Sequence, residues 1–301
     1  MKTYIGVDLG GTHVRVAKVD ETGKVLQMVK GETGISNGVE YVIDNIVSMI
    51  KQIEGYENCV GVGMGVPGPV DTVEGKMVIA ANLPGFEGYP IAKNISEKTG
   101  LPTFVDNDVN VACMGEAFHG AGRGKNIVYY ITISTGIGGA LVVDKKLVAG
   151  KNGHAGEVGN IIIDRNRERV GTLLNAGAVE SEASGTAITR KGKAIFGDHI
   201  AHAGMVFDLA RQGNEEALKL VDDMAYDLAV MFSVVAHITD PDVFVVGGGV
   251  TTKANDVFFE KMEKYFRGMI HKGMQTVEFK FAELEEPGIV GAAMLPAAYV
   301  K

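Results

Sequence analysis

Cysteine is scarce in this 301-residue chain: Cys59 and Cys113 are the only two. Two thiols cannot build a disulfide framework or a four-thiolate zinc site. A reducing, cytoplasmic setting is therefore expected. No apolar run approaches the ~18–20 residues of a membrane span. The opening Met1-Lys2-Thr3-Tyr4-Ile5 has no apolar signal region before a small-residue cleavage site, so no secretion is expected. Basic charge is also short. Lys and Arg number 29 against 37 Asp and Glu, a net charge of −8. Such a chain lacks the electrostatic footprint of a nucleic-acid or membrane-surface binder. Any polyanionic ligand must be held by local backbone groups or a metal ion. What the chain has in excess is glycine, 41 residues, roughly twice the usual frequency.

No long linker or low-complexity tract interrupts the chain. Residues 3–9 read as a strand, Gly10-Gly11-Thr12 as a turn, 13–19 as an alternating, half-buried strand. A charged hairpin at 20–24 and a third strand at 25–29 follow, then a helix over 39–54 and a strand over 60–66. The layout recurs at 127–133, where a strand meets the turn Ser134-Thr135-Gly136-Ile137-Gly138-Gly139, then strands at 140–143 and 147–148. This internal repeat predicts an α/β fold of two similar lobes. A helix over 214–239, a buried strand over 243–246, a helix over 255–270, a strand over 277–281 and an apolar helix over 288–298 complete the pattern.

Phosphate binding needs several N–H donors converging on one anion, and glycine lets the backbone curl that closely. Asp8-Leu9-Gly10-Gly11-Thr12 offers one such turn, with an acid placed to position Mg²⁺ through water. Ser134-Thr135-Gly136 opens a second. One glycine turn alone is most often only a hairpin; two at equivalent places of a repeat favour a phosphate site. Gly247-Gly248-Gly249 closes a buried strand, either as a turn opening a helix or as a contact for adenosine. Gly63-Met64-Gly65-Val66-Pro67-Gly68 has the spacing of a dinucleotide fingerprint, but Pro67 and Pro69 follow and no helical period starts there. A Walker-type loop is absent.

Asp106-Asn107-Asp108 ends a strand and opens a helix reaching about His119. Asp108 near the helix start reads either as a cap or as an acid at the strand end, where α/β folds place chemistry. Asn107 suits sugar hydroxyls, having both donor and acceptor. His154 and Glu157 lie in a second glycine-rich polar loop, and Glu180 is a third carboxylate just before Ser184-Gly185. His199 and His202 lack a third metal ligand and read as surface or helix-packing residues; His237 reads as structural.

With these motifs in place, nearly the whole chain resembles the ROK family of sugar kinases. Asp8-Leu9-Gly10-Gly11-Thr12 and Ser134-Thr135-Gly136-Ile137-Gly138-Gly139 resemble its two phosphate motifs. Val66-Pro67-Gly68-Pro69-Val70-Asp71 and Asn82-Leu83-Pro84 resemble its sugar-side loops, and Gly153-His154-Ala155-Gly156-Glu157-Val158-Gly159 its signature. The resemblance implies an actin-like ATPase (ribonuclease H-like) fold with a cleft between the lobes. It implies a small lobe over 1–117, a large lobe over 118–287, and 288–301 packing back on the small lobe. It also implies Asp108 as the catalytic base, with Gly68, Asn82, Leu83, Asn107, Asp108, His154, Glu157, Asn160 and Glu180 binding sugar. ATP would be held by Asp8, Gly10, Gly11, Thr12, His13, Ser134, Thr135, Gly136, Gly247, Gly248 and Gly249, with Mg²⁺ near Asp8. A homodimer is the usual assembly of the family.

One departure stands out. The family's zinc motif, a histidine and three cysteines, is replaced by Asn160, Gly171, Leu173 and Ala178. No structural zinc is expected, and an apolar packing solution is expected in its place. The implied activity is phosphorylation of the primary hydroxyl of a hexose, first of all glucose. Allose, fructose, mannose, N-acetylmannosamine or a β-glucoside are alternatives, as is a non-catalytic sugar-binding protein. A repressor of the same family would need a helix-turn-helix before the first phosphate motif, where seven residues precede Asp8.

Overall fold

Strong alternation at the N-terminus makes an antiparallel meander. In a computed structural model, which describes residues 1–300, it consists of β1 (Thr3–Leu9), β2 (His13–Asp20) and β3 (Val25–Glu32). Two parallel strands, β4 (Val62–Val66) and β7 (Thr103–Asn107), extend the sheet to the order β3-β2-β1-β4-β7; β5 (Val70–Asp71) and β6 (Lys76–Met77) pair as a separate ribbon. The plan then repeats. A second meander of β8 (Ile127–Ile133), β9 (Ile137–Val143) and β10 (Lys146–Leu147) is extended by β11 (Val243–Gly247) and β12 (Glu278–Phe281), in the order β10-β9-β8-β11-β12. The helices are α1 (Val39–Lys51), α2 (Ile91–Thr99), α3 (Asp108–His119), α4 (Val179–Ala183), α5 (Gly185–Phe196), α6 (Ala203–Arg211), α7 (Glu215–Thr239), α8 (Gly249–Met269) and α9 (Pro287–Tyr299). Among the described residues no helix is long and apolar enough to cross a membrane.

Contacts divide the chain into two units. The first holds Met1–Val128, Ala140–Ala155 and the chain from Ala282; the second holds Tyr129–Gly139 and Gly156–Phe281. The expected boundary at 117/118 falls inside the first unit. There α3 continues to His119, and the amide of Ala121 returns to the fully buried Glu116 carboxylate at 2.8 Å.

In the first unit, Ile5, Val7 and Leu9 of β1 and Val42, Ile43, Ile46 and Ile50 of α1 share one core. Residues Ile289 to Pro296 of α9 are all buried, because this helix is packed by both the sheet and α3. Glycine permits the approach. A Cβ on Gly63 would lie 1.8 Å from the Ala292 carbonyl oxygen, and one on Gly291 would lie 1.6 Å from that of Val111. The run that imitates a dinucleotide fingerprint is thus a floor for a docked helix. In the second unit, Phe232, Phe244, Phe266 and Phe279 form an aromatic cluster with centroids 5.0–6.0 Å apart.

Two sequence expectations change. Gly138 and Gly139 belong to β9, which starts at Ile137 rather than 140; Gly139 lies under Val158, 3.0 Å from a would-be Cβ. And α8 opens at Gly249, not 255, because Gly248 at φ +92° turns the chain straight from β11 into the helix.

Candidate active site

The first glycine turn is braced from inside the first unit. Gly10 N–H donates to the His13 carbonyl at 2.9 Å, and Thr33 N–H to that of Thr12 at 2.8 Å. The Thr33 hydroxyl, fully buried, donates to the Gly10 carbonyl at 2.6 Å. Gly11 approaches Asn82 so closely that a Cβ would lie 3.0 Å from its carbonyl oxygen. Asp8 and Arg15 are cross-strand partners in β1 and β2. The Arg15 guanidinium pairs with Asp8 Oδ2 and, through Nη1, with Glu286; Lys30 reaches the same Glu286 at 3.3 Å. Thr33, Arg15 and Glu286 carried no sequence signal, since each depends on register or on a distant segment.

At the other side of this sheet, β7 hands over to α3. Asn107 is the N-cap: its Oδ1 accepts from Val109 N–H at 2.8 Å and Asn110 N–H at 3.3 Å. The capping role open to Asp108 therefore falls to Asn107, whose Nδ2 also donates to the Gly68 carbonyl at 3.1 Å. Buried Asp106 accepts from Asn107 N–H and Asn110 Nδ2, both at 2.7 Å, fixing the turn from below. Asp108 is left as the first helical residue, its carboxylate accepting from Val109 N–H at 2.9 Å. Burial lifts its carboxyl to about 6, and the charge of Asp8 reinforces the shift. Asp8, Gly10, Gly11, Thr12, Pro67, Asn82 and Asp108 line one cavity of about 470 Å³. His13 lines a neighbouring groove with Arg15 and Lys30. His154 lies exposed after Gly153, whose φ of +73° fits its loop against Val70. Leu83 is corrected: its side chain is fully buried in the core and cannot touch a ligand.

The second turn is built differently. Ser134 N–H donates to the Gly136 carbonyl at 2.9 Å, while the Ser134 carbonyl accepts from Gly185 N–H at 2.8 Å, docking the turn on α5. Glu180 Oε2 accepts from Ile137 N–H at 2.7 Å and would crowd any Cβ on Gly136 at 2.6 Å. Glu180, singled out for sugar, thus holds the second glycine turn with one oxygen. Ser134 and Thr135 line a cavity of about 360 Å³ onto which the N-termini of α5, α6 and α8 open. Helix N-termini carry a positive dipole end, which suits an anion, although the first N–H groups of α5 are already donated to Ser134, Thr135 and the Ser184 hydroxyl. Gly249, His202, Thr189 and Lys253 also line it. His202, read from sequence as surface or helix packing, belongs to this cavity as the residue before α6. Gly247 and Gly248 do not line it. They pack beneath, where a Cβ would meet the Tyr130 hydroxyl and the Ile133 carbonyl, each at 2.4 Å.

The segment after Glu157 is polar where apolar packing was expected. Residues 160–176 include no buried residue, and Leu173 is 87% exposed. Asn160 Oδ1 accepts from Asn175 N–H at 2.7 Å. Arg169 donates to the carbonyls of Leu174 and Thr172, both at 2.8 Å. Main-chain bonds from Ile163 N–H to Gly177 and from Val179 N–H to Ile161, both 2.9 Å, close the loop. Exposed backbone this long has no core to join, so side-chain amide and guanidinium groups tie it instead. Among the described residues no group of three or more His, Cys, Asp or Glu could hold a metal ion.

Twin glycine turns on repeated sheets, with a raised carboxyl beside one of them, define a phosphotransferase on the actin-like ATPase fold. Comparison with known proteins agrees. Residues 4–298 match the ROK family. The chain is 33% identical to the glucokinase of Thermotoga maritima, over 97% of this chain and 96% of the relative. It superposes on the ROK hexokinase from Thermus thermophilus with TM-score 0.89 at 30% identity, covering 97% of both chains. It superposes on a ROK family glucokinase from Streptomyces griseus, solved with glucose and AMPPNP, with TM-score 0.76 at 29% identity, covering 97% and 98%. The chain belongs to the ROK family, as one of its sugar kinases.

Proposed function

We propose that the protein transfers the γ-phosphoryl group of ATP to the primary hydroxyl of a hexose, glucose in the first place. The observation that carries this reading is Asp108, a half-buried carboxyl lifted to about 6 within one cavity shared with Asp8 and the first glycine turn. Above that pH its carboxylate accepts the proton of the attacking hydroxyl. General-base help is worth ~10²–10⁴-fold, so positioning and charge stabilisation supply the rest. The N–H groups of Gly11 and Thr12 and of Thr135 and Gly136 are assigned to the phosphates, those of Gly10 and Ser134 being used within their turns, and the α8 N-terminus at Gly249 to the nucleoside side. The donor set fits Mg²⁺, which binds through one or two carboxylates plus phosphates and keeps its waters. Asp8 has Oδ1 left when Oδ2 is taken by Arg15. The ion would neutralise phosphate charge there. Asn82, His154, Glu157, Asn160, Asn107 and Oε1 of Glu180 are assigned to sugar hydroxyls. Glucose is favoured by the named activity of the Thermotoga relative and by the glucose in the Streptomyces structure.

Coupled ADP release with Mg-ATP, run against a panel of hexoses and amino sugars, tests the reading. Turnover that is best with glucose and lost in Asp108→Asn is the expected result. Best turnover with another sugar would move the substrate and leave the chemistry; near-wild-type turnover in Asp108→Asn would remove Asp108 as the base.

A further inference from the structure

The polar segment that follows Glu157 is held to its unit by one side chain above the rest. Arg167 lies in the middle of residues 160–176, none of which is buried. Its Nη1 and Nη2 reach both oxygens of Asp227 at 2.6 and 2.8 Å. Asp227 lies in α7 amid the buried Met224, Ala225 and Leu228, and its side chain is only 3% exposed. The same Nη1 lies 3.2 Å from Glu182 of α4, a side chain 10% exposed that Lys191 also holds at 2.7 Å. Asp164, three residues back, stands 3.5 Å from Nε. One guanidinium therefore engages three carboxylates from three parts of the second unit.

A carboxylate on the apolar stripe of a helix is costly unless paired, and the planar fork of arginine matches its two oxygens. We propose that Arg167 is a positioning residue for sugar binding: it pins the segment 160–178 to α4 and α7 and so fixes Asn160. This proposal rests on the sugar-kinase reading for its kinetic consequence, but the pin itself does not. Residues 160–176 have no buried side chain, and the one buried side chain of the segment is Ala178, next to α4. Its internal bonds, Asn160 to Asn175 and Arg169 to Thr172 and Leu174, close the loop on itself and do not tie it to α7.

The test uses the full chain and three variants: Arg167→Met, Arg167→Lys, and Arg167→Met combined with Asp227→Leu. Two readouts are needed, KM for sugar against KM for ATP, and cleavage after Glu168 by a glutamate-specific protease. Arg167→Met is expected to raise the sugar KM by about tenfold or more with the ATP KM unchanged, since loosened positioning acts where the loop meets ligand. Cleavage at Glu168 is expected to speed up by about tenfold or more. Arg167→Lys, which keeps the charge and loses the fork, should recover part of both. The double variant removes the buried unpaired charge and should melt like the parent, yet keep the high sugar KM and the fast cleavage. If Arg167→Met folds and leaves both readouts unchanged, or if the double variant restores both, the pin is overturned. If the parent phosphorylates no sugar, the kinase reading fails separately, and cleavage at Glu168 alone decides for or against the pin.

Discussion

Asp108, proposed as the base, is a carboxylic acid that would have to act near neutrality. Its pKa of about 6 follows from burial first and from the charge of Asp8 second. Only the deprotonated form can accept a proton, so kcat/KM should be flat above about pH 6 and fall tenfold per pH unit below it. An acid limb near pH 4 would show that burial does not govern this group. The same shift makes a statement about stability. The native state holds the proton more tightly than the unfolded chain, whose value is 3.8. Stability attributable to Asp108 is therefore greatest below pH 3.8 and declines as pH rises toward 6. At pH 7, Asp108→Asn should raise stability by up to about 3 kcal/mol, read as a higher Tm, while turnover falls at least ~10²-fold. Glu180 shows how much a motif conceals. Sequence marks it as a site carboxylate, and nothing in sequence tells that one oxygen is committed to Ile137 N–H. Glu180→Ala should raise the KM for ATP as well as for sugar, about tenfold each; a change confined to sugar would assign it to sugar alone. Leu83 teaches the converse, because a motif position can be there for its backbone course while its side chain fills the core.

Elements meet here through glycine, at distances that admit nothing larger. The crossing of α3 and α9 puts Gly291 against the Val111 carbonyl and Gly115 against that of Pro287. Gly291→Ala should destabilise by more than about 3 kcal/mol or abolish soluble folding, since backbone and not a flexible side chain is in the way. Gly268 in α8 has nothing within 4 Å of a would-be Cβ, so Gly268→Ala should stabilise by ~0.5–1 kcal/mol. Chemical denaturation of the two variants checks both signs. Strands and long helices were legible because their periods are carried by adjacent residues: α7 runs as expected, opened by Asn214, whose Oδ1 accepts from Ala217 N–H at 3.0 Å. The start of α8 was not legible. Its first turn, Gly249-Val250-Thr251-Thr252, is glycine and β-branched residues, a composition that reads as extended. What decides it is the conformation of Gly248, a property of three dimensions.

At the scale of the whole chain, duplication was legible because strand, glycine turn and strand recur in the same order. Of the segments exchanged between units, the return of 288–301 to the first was expected only from the family resemblance, and that of 140–155 was not expected. Residues 140–155 count with the first unit, and Glu116 accepts amides from Glu283 and Leu284 at 3.2 and 2.9 Å, more than 160 positions away. Local pattern carries no trace of such pairings, and likewise Arg167 and Asp227 find each other across 60 residues. A chain ended at Phe281 should leave Gly6, Gly61 and Gly63 facing water and the first unit insoluble or open to protease, whereas limited proteolysis should still yield a resistant core within 156–281. Recovery of a soluble, folded first unit from that truncation would contradict the role given to α9. The consequence reaches back to how the polypeptide is made. The helix that completes the N-terminal sheet lies at 287–299 and leaves the ribosome only after every strand of both sheets. The strands β1 and β4 must wait, apolar floor uncovered, while everything between them and this lid is translated, so a chaperone that shelters nascent chains would engage them longer than strands whose partners follow at once.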